Sequence, residues 1–262
     1  MKKSLGNLIK LTLATVFRKY PGLLVSSVRL MVAKELRPQQ VIHTGLFRGV
    51  LLRDFTWHTS DRASIIAGAY EVEVQDWLAT NVSPGNRNLL NIGAADGLYA
   101  IGLLKAGLAT RAFCFEMDKR SRNQLAANAA LNSIDPDQIN VFGQFVSLGS
   151  HEAMELSQFS YVDSLFIVDA EGGEYEFVDE DFCKRFSQSS GIIELHKTND
   201  DSKLQTLMSN LNSFFEITHL ETTQRNPQEF PLLRDLPDDY RWVTMSEGRM
   251  YPGHWLALTP KK

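Results

Sequence analysis

The sequence predicts an α/β protein with a doubly wound, mostly parallel sheet. From residue 88 onward, short apolar runs follow one another, and segments of helical composition lie between them. Strands that alternate with helices in this way form βαβ units, which build a parallel sheet. The chain has 262 residues, of which 44% are hydrophobic and 22% are charged. These values are typical of a globular domain and exclude collagen-like and disordered proteins.

The individual elements follow from this alternation. Strands are predicted at residues 88–92, 112–115, 139–142, 164–168, 191–195 and 214–219, with a closing strand at 255–258. Helices are predicted between them at residues 97–107, 118–132, 149–157, 174–188 and 201–211. Before the sheet, residues 61–80 have helical composition, and residues 41–54 are compatible with a short hairpin. Residues 222–251 contain turn formers without a clear period, so no element is predicted there.

The first 40 residues differ in charge from the rest of the chain. They contain eight of the 27 Lys and Arg residues and one of the 31 Asp and Glu residues, which gives them a net charge of +7 against −11 for the remainder. Two helices are predicted in this segment, broken at residues 20–22. We therefore divide the chain into a basic helical extension, residues 1–40, and a main domain, residues 41–262.

Two interpretations of the extension remain open. The first predicted helix has an apolar stripe at Leu5, Ile9, Leu13 and Phe17, which could pack on the main domain or lie on an anionic membrane surface. No uncharged apolar run is long enough to span a bilayer. The two distant cysteines, Cys114 and Cys183, do not suggest a disulfide framework, so a cytoplasmic protein is expected, with peripheral membrane contact left open. The acidic main domain argues against nucleic-acid binding.

The loop after the first predicted strand has the composition of a ligand-binding turn. Asn91 ends that strand, and Gly93-Ala94-Ala95-Asp96-Gly97 leads into a helix. Glycines and small residues let a ligand approach the backbone. The spacing is G-x-x-x-G, and Asp96 lies where a pyrophosphate would meet the helix, so the loop favours a ligand with an ammonium or sulfonium group. Alternatively, the segment is a glycine-rich turn in which Asp96 caps the helix.

Acidic side chains and a histidine follow three other predicted strands. Glu116 lies 23 residues after Gly93, an offset at which a carboxylate can accept hydrogen bonds from ribose hydroxyls, whereas Asp118 is predicted to cap the next helix. Asp169 ends the fourth strand and Glu171 follows it. Glu194 and His196 lie at the end of the fifth strand, where His196 could act as a general base or form a structural pair with Glu194. Asp169, Glu194 and His196 could bind a metal, but no ligand spacing supports this and no metal is assigned.

Together these segments resemble the FkbM family of S-adenosylmethionine-dependent methyltransferases over about residues 65–200. The resemblance rests on residues 69–73, on the loop at 91–97, on Glu116, on Asp169-Ala170-Glu171-Gly172-Gly173-Glu174 and on Glu194-Leu195-His196. It implies a class I methyltransferase fold, a seven-stranded sheet whose last strand is antiparallel. It also implies methyl transfer, usually to a hydroxyl of a glycan or natural product. Many class I methyltransferases have an acidic residue at the position of Asn91.

The sequence therefore predicts an S-adenosylmethionine-dependent O-methyltransferase that acts on a small-molecule or glycan acceptor. The catalytic candidates are Asp169 and His196, with Glu171 behind them. The cofactor-binding candidates are Asn91, Gly93, Ala94, Asp96, Gly97, Glu116 and, from the helix before the sheet, Glu71. Two alternatives stay open: a nicotinamide-dependent oxidoreductase, and a catalytically silent binding module on the same fold. The sequence indicates neither the acceptor nor the oligomeric state.

Overall fold

A computed structural model describes residues 21–261, except for residues 37, 39, 54, 57, 58, 86, 152–155 and 250. The helix predicted within residues 4–20 lies outside the described residues. In the described part, a seven-stranded sheet has the order β3-β2-β1-β4-β5-β7-β6. Strands β1 to β5 are parallel, and β7 runs antiparallel to both β5 and β6. This confirms the predicted doubly wound sheet with an antiparallel last strand.

The strands lie close to their predicted positions. Their bounds are β1 Asn88–Ile92, β2 Arg111–Phe115, β3 Ile139–Phe142, β4 Leu165–Val168, β5 Ser190–Glu194, β6 Phe215–Glu221 and β7 His254–Pro260. The predictions succeed because the central parallel strands are buried on both faces and are therefore nearly continuous apolar runs. All four residues of β4 are buried, for example.

The helices flank the sheet and bury one apolar cluster on each of its faces. Their bounds are α1 Pro21–Glu35, α2 Arg62–Ala67, α3 Val72–Asn81, α4 Leu98–Lys105, α5 Lys119–Leu131, α6 Leu148–His151, α7 Glu174–Phe177, α8 Glu180–Arg185, α9 Asp201–Phe214 and α10 Asp238–Thr244. Asp118 caps α5 as predicted, because its carboxylate accepts the backbone N–H groups of Arg120 and Ser121. Within the described residues, no helix is long and apolar enough to cross a membrane.

Local predictions differ from the structure at several places. Residues 222–251, where no element is predicted, contain helix α10. The helix expected over residues 61–80 is divided into α2 and α3, because Gly68 and Glu71 both adopt left-handed backbone conformations between them. The hairpin expected over residues 41–54 is reduced to a single antiparallel bridge between Val41 and Leu51. The helix expected over residues 174–188 is likewise two short helices, α7 and α8, because Asp179 is extended and caps α8.

Helix α1 packs on the main domain. Its Val32, together with Leu36 just beyond it, belongs to a third buried cluster that includes Phe230 and Leu233. Arg29 of α1 forms a buried ion pair with Asp61. The structure therefore places this half of the basic extension against the domain.

Candidate functional site

A cavity of about 130 Å³ lies at the carboxyl ends of β1 and β4, where the strand order of the sheet reverses. Ligands of doubly wound proteins bind at this position. Most of the candidate site residues line the cavity: Glu71, Asn91, Gly93, Ala94, Asp96, Asp169 and Glu171. His196 lines a neighbouring cavity, whereas Gly97 and Glu116 line neither of these two.

Asn91 ends β1 in the wall of this cavity. Its side chain is 2% exposed, and its Oδ1 atom is buried with no hydrogen-bond partner among the described residues. A buried acceptor without a partner costs about 1–3 kcal/mol, so such groups often mark a place where a ligand donates a hydrogen bond. A bound ammonium group would satisfy this oxygen.

The backbone conformation and the packing of the loop require glycine at two positions. Gly93 has φ +77°, and a Cβ atom there would lie 1.7 Å from the backbone carbonyl oxygen of Asp169. Gly97 has φ +90°, and a Cβ atom there would lie 2.9 Å from Cγ of Leu125. Both positions therefore require glycine for the turn and for packing, and direct ligand contact by either one stays a prediction.

Asp96 lines the cavity, does not cap the following helix, and has a local role that was not predicted. Its carboxylate accepts hydrogen bonds from the backbone N–H of Thr56 at 2.7 Å and from the Thr56 hydroxyl at 2.5 Å. Gly97, rather than Asp96, is the N-cap residue of α4. Asp96 thus anchors the segment that brings Leu52 and Phe55 over the cavity. This cover explains why the cavity is smaller than the roughly 300–1,000 Å³ of typical ligand pockets.

Glu116 follows β2 at the edge of the same loop. One carboxylate oxygen accepts the backbone N–H of Ala95 at 2.8 Å, and the other accepts the backbone N–H of Asp118 at 2.7 Å. The two bonds fix the carboxylate beside Ala95, which lines the cavity. Each carboxylate oxygen has a second lone pair, so the geometry leaves acceptor capacity for ribose hydroxyls.

A buried charge network closes the opposite side of the cavity. Arg249 forms ion pairs with Glu71, Glu194 and Glu247, and Tyr99 donates a hydrogen bond to Glu71. Burial and the nearby charge of Glu194 raise the pKa of Glu71 to about 8, although Arg249 opposes the shift. Arg249 is not predictable from the sequence, because residues 222–251 show no periodic pattern that would indicate which cation meets the buried acids.

His196 is held between three carboxylates. Its backbone N–H donates to the fully buried Glu174 at 2.8 Å, and its Nδ1 lies 3.3 Å from the same carboxylate oxygen. On the other side of the ring, Nε2 lies 3.6 Å from Asp169 and 3.5 Å from Glu171. The structure thus brings the three catalytic candidates together. Glu194, which the sequence placed with His196, instead accepts hydrogen bonds from Arg249 and Trp255.

The surroundings of Asp169 and His196 shift the pKa values of both side chains. Burial raises the pKa of Asp169 to about 8, with a further contribution from the charge of Glu194, while His196 opposes the shift. Burial lowers the pKa of His196, but the hydrogen bond and charge of Glu174, with the charges of Asp169 and Glu194, outweigh it and bring the pKa to about 9. The pKa values of Asp169 and His196 are therefore linked, because the charge of each group acts on the other.

A second cavity, of about 550 Å³, adjoins His196 on the side away from β1. Apolar surface in this cavity comes from Tyr175, Leu204, Met208 and Tyr251. The amino group of Lys197 lies over the Tyr251 ring, 4.4 Å from its centroid. Asp169 and Glu171 line the first cavity and His196 lines the second, so the three side chains stand at the boundary between them.

Comparisons with known proteins give similarity at the level of the fold. No protein-family model and no curated protein matches the chain. Similar solved structures include the O-methyltransferase from Bacillus cereus in complex with SAH, with 16% identity, a TM-score of 0.45, and 73% of this chain and 90% of that chain covered. Precorrin-6y C5,15-methyltransferase from Geobacter metallireducens has 11% identity and a TM-score of 0.48 over 73% of this chain and 88% of that chain.

A third similar structure has a different described activity. Precorrin 8w decarboxylase from Methanobacterium thermoautotrophicum has 16% identity and a TM-score of 0.46, over 71% of this chain and 89% of that chain. One fold hosts many chemistries, so similarities of this size carry no argument about activity. The function has to be argued from the site itself.

Proposed function

We propose that this protein is an S-adenosylmethionine-dependent O-methyltransferase of the FkbM type, which acts on a hydroxyl of a small-molecule or glycan acceptor. The observation that carries the proposal is the unpartnered Asn91 Oδ1 in the wall of a cavity at the strand-order reversal. When bound, S-adenosylmethionine supplies an electrophilic methyl group on a sulfonium centre. Asn91 would accept a hydrogen bond from its ammonium group, and Glu116 would accept hydrogen bonds from its ribose hydroxyls.

The acceptor would enter through the second cavity and meet the first cavity at Asp169 and His196. Asp169 would take the proton of the acceptor hydroxyl, because a carboxyl with a pKa of about 8 is suited to general-base chemistry near neutral pH. His196 would stabilise the ionised form of Asp169, whereas the charge of Glu171 would favour its protonated form. Leu52 and Phe55 would exclude water from the reacting atoms, and alignment would supply much of the rate.

The cofactor is tested by calorimetric titration of the purified protein with S-adenosylhomocysteine and, separately, with NAD⁺ and NADH. We expect binding of S-adenosylhomocysteine only. Preferential binding of a nicotinamide dinucleotide would overturn the proposal in favour of the oxidoreductase alternative.

The reaction is tested with a methyl-labelled donor and a panel of hydroxyl-bearing acceptors, in which a transfer RNA serves as the nucleic-acid control. Label transfer to a glycan or small molecule, but not to RNA, is the expected result, since the main domain is acidic. Cofactor binding without transfer to any member of a broad panel would favour the silent binding module.

A further inference from the structure

We propose that Asp169, Glu171 and His196 form a binding site for a divalent cation. One ligand atom of each side chain lies within 4.8 Å of the ligand atoms of the other two. The set combines two carboxylate oxygens with one imidazole nitrogen. Metal–ligand bonds of roughly 2.1 Å place neighbouring ligand atoms about 3.0 to 3.4 Å apart. The observed 3.5 Å and 3.6 Å separations from Nε2 need to shrink by only a few tenths of an ångström.

The orientation of the imidazole ring favours this assignment. Glu174 holds Nδ1 at 3.3 Å and also accepts the backbone N–H of His196, so the ring is fixed from behind by a fully buried carboxylate. With one proton on Nδ1, a cation that displaces the second ring proton meets an Nε2 lone pair directed toward Asp169 and Glu171. Histidines that bind metals are commonly oriented by a carboxylate on the other ring nitrogen, as here.

The local charge balance also favours a cation. Arg249 forms ion pairs with Glu71, Glu194 and Glu247, so its single positive charge is already shared among three carboxylates. Among the described residues, no lysine or arginine forms an ion pair with Asp169 or Glu171, and His196 is their shared partner. Asp169 and Glu171 therefore lie on one side of the His196 imidazole and Glu174 lies on the other. A divalent cation would remove this excess of negative charge.

The ligand set indicates the class of cation. Carboxylates favour Mg²⁺ and Mn²⁺, whereas imidazole favours first-row transition metals, so two oxygens and one nitrogen suit Mn²⁺ best. Three protein ligands leave other positions for water or for an acceptor oxygen at the boundary of the two cavities. Polarisation of the acceptor hydroxyl by the cation rests on the proposed function, whereas the cation site itself does not.

The test is a Mn²⁺ titration of the full chain after treatment with a chelator, followed by electron paramagnetic resonance and without cofactor. We expect one tightly bound Mn²⁺ per chain, with hyperfine coupling to one imidazole nitrogen. Glu171→Gln, on an exposed side chain, should weaken binding by at least tenfold, and His196→Gln should abolish the nitrogen coupling. Glu176→Gln, an equally exposed position outside the trio, is the matched control and should bind as the wild type does.

Three results would overturn the proposal: no bound Mn²⁺, bound Mn²⁺ without nitrogen coupling, or unchanged affinity in Glu171→Gln. Titration of the same samples with S-adenosylhomocysteine separates this inference from the proposed function. Binding of S-adenosylhomocysteine without Mn²⁺ refutes the cation site alone. Binding of Mn²⁺ without S-adenosylhomocysteine or methyl transfer refutes the methyltransferase assignment alone.

Discussion

The buried side chain of Asn91 lowers the stability of the protein without ligand and should raise its affinity for a ligand that donates a hydrogen bond. Its unpartnered Oδ1 costs free energy in the folded protein, and the same atom can accept a hydrogen bond from a ligand. An acidic residue at this position would supply charge as well, but it would lie near Glu194 and Asp169, whose charges already raise the pKa of Glu71. A neutral acceptor therefore suits this crowded acidic region.

Asn91→Leu should change stability and cofactor binding in opposite directions. Removal of the unpartnered acceptor should raise the free energy of unfolding by about 1 kcal/mol, which corresponds to roughly 2–4 °C in Tm. Loss of a hydrogen bond to an ammonium group should weaken S-adenosylhomocysteine binding by about tenfold to a hundredfold. Thermal denaturation and calorimetry measure the two effects. A variant that is less stable and binds normally would show that Asn91 has a structural role only.

Glu116→Gln tests the proposed ribose contact while keeping the side-chain volume. The loss of charge-assisted hydrogen bonds, typically worth about 1.5–3 kcal/mol each, should weaken cofactor binding by one to two powers of ten. Glutamine retains one acceptor oxygen, so one of the two backbone N–H groups, that of Ala95 or that of Asp118, keeps its hydrogen bond and the fold should persist. Glu221→Gln, on the exposed end of β6, is the control. Wild-type affinity in a folded Glu116→Gln protein would contradict the assignment.

Arg249→Met should be strongly destabilising. The substitution leaves the buried carboxylates of Glu71 and Glu194 without their cation, whereas Glu247 keeps its ion pair with Arg225, and breaking a buried ion pair in this way costs about 3–5 kcal/mol. Urea denaturation measures the loss, with the exposed Arg120→Met as control. Addition of Glu194→Gln to the Arg249→Met variant should recover part of the stability. A loss below 1 kcal/mol would show that the network does not hold the site together.

At the scale of elements, the sequence predicts those strands and helices that correspond to continuous patterns of apolar residues. The buried strands are apolar runs, so their positions could be read directly, and Asp169 and His196 could be placed at neighbouring strand ends. The break between α2 and α3 could not be read, because it depends on the Thr44 carbonyl, which lies 2.2 Å from where a Gly68 Cβ would be. Arg249 could not be read either, because no periodic pattern links it to Glu194 and Glu71, which lie 55 and 178 residues away in sequence.

Helix α3 is tied to the segment after β6 by Glu73. Its carboxylate accepts the backbone N–H and the hydroxyl of Thr223, each at 2.7 Å, and pairs with Arg225. Burial raises the pKa of Glu73, but these hydrogen bonds and the charge of Arg225 outweigh it and hold the pKa below its usual 4.5. The ionised form is therefore bound more tightly by the folded protein than by the unfolded chain.

The Glu73 interaction should make stability depend on pH in one direction. Because the folded pKa is lowered, the contribution is complete well above pH 4.5 and is lost as the pH falls through the folded value. The free-energy difference between wild type and Glu73→Gln should be largest at neutral pH and shrink below pH 4.5. Glu216→Gln, on an exposed side chain, should show no such trend. A difference that grows on acidification would contradict the assignment.

At the scale of the whole molecule, helix α1 covers part of the main domain instead of standing apart from it. Its Val32 packs in the cluster that contains Ala63, Phe230 and Leu233, and Arg29 reaches Asp61. A Cβ atom at Gly248 would collide with the Arg29 guanidinium, so α1 also lies against the segment that carries Arg249. The contacts of helix α1 therefore support the interpretation that the basic extension packs on the main domain.

Deletion of residues 1–40 should expose this cluster and lower Tm by several degrees, since even about 1 kcal/mol shifts a chain of this size by roughly 2–4 °C. Cofactor binding should persist, because Asn91 and Glu116 belong to the sheet and its loops. Differential scanning calorimetry and liposome flotation are the measurements. Unchanged stability together with a loss of liposome binding would favour the membrane interpretation of the extension.

The position of β7 has a consequence for the order in which the molecule can assemble. β6 precedes β7 along the chain, yet in the described structure it joins the sheet only through β7, which lies between β5 and β6. During synthesis, β1 to β5 can pair as they emerge, but β6 must wait until residues 254–260 have left the ribosome. Arg249 and Trp255 arrive with that strand. The nascent chain therefore holds a nearly complete sheet whose buried acids, Glu71 and Glu194, are still without their cation.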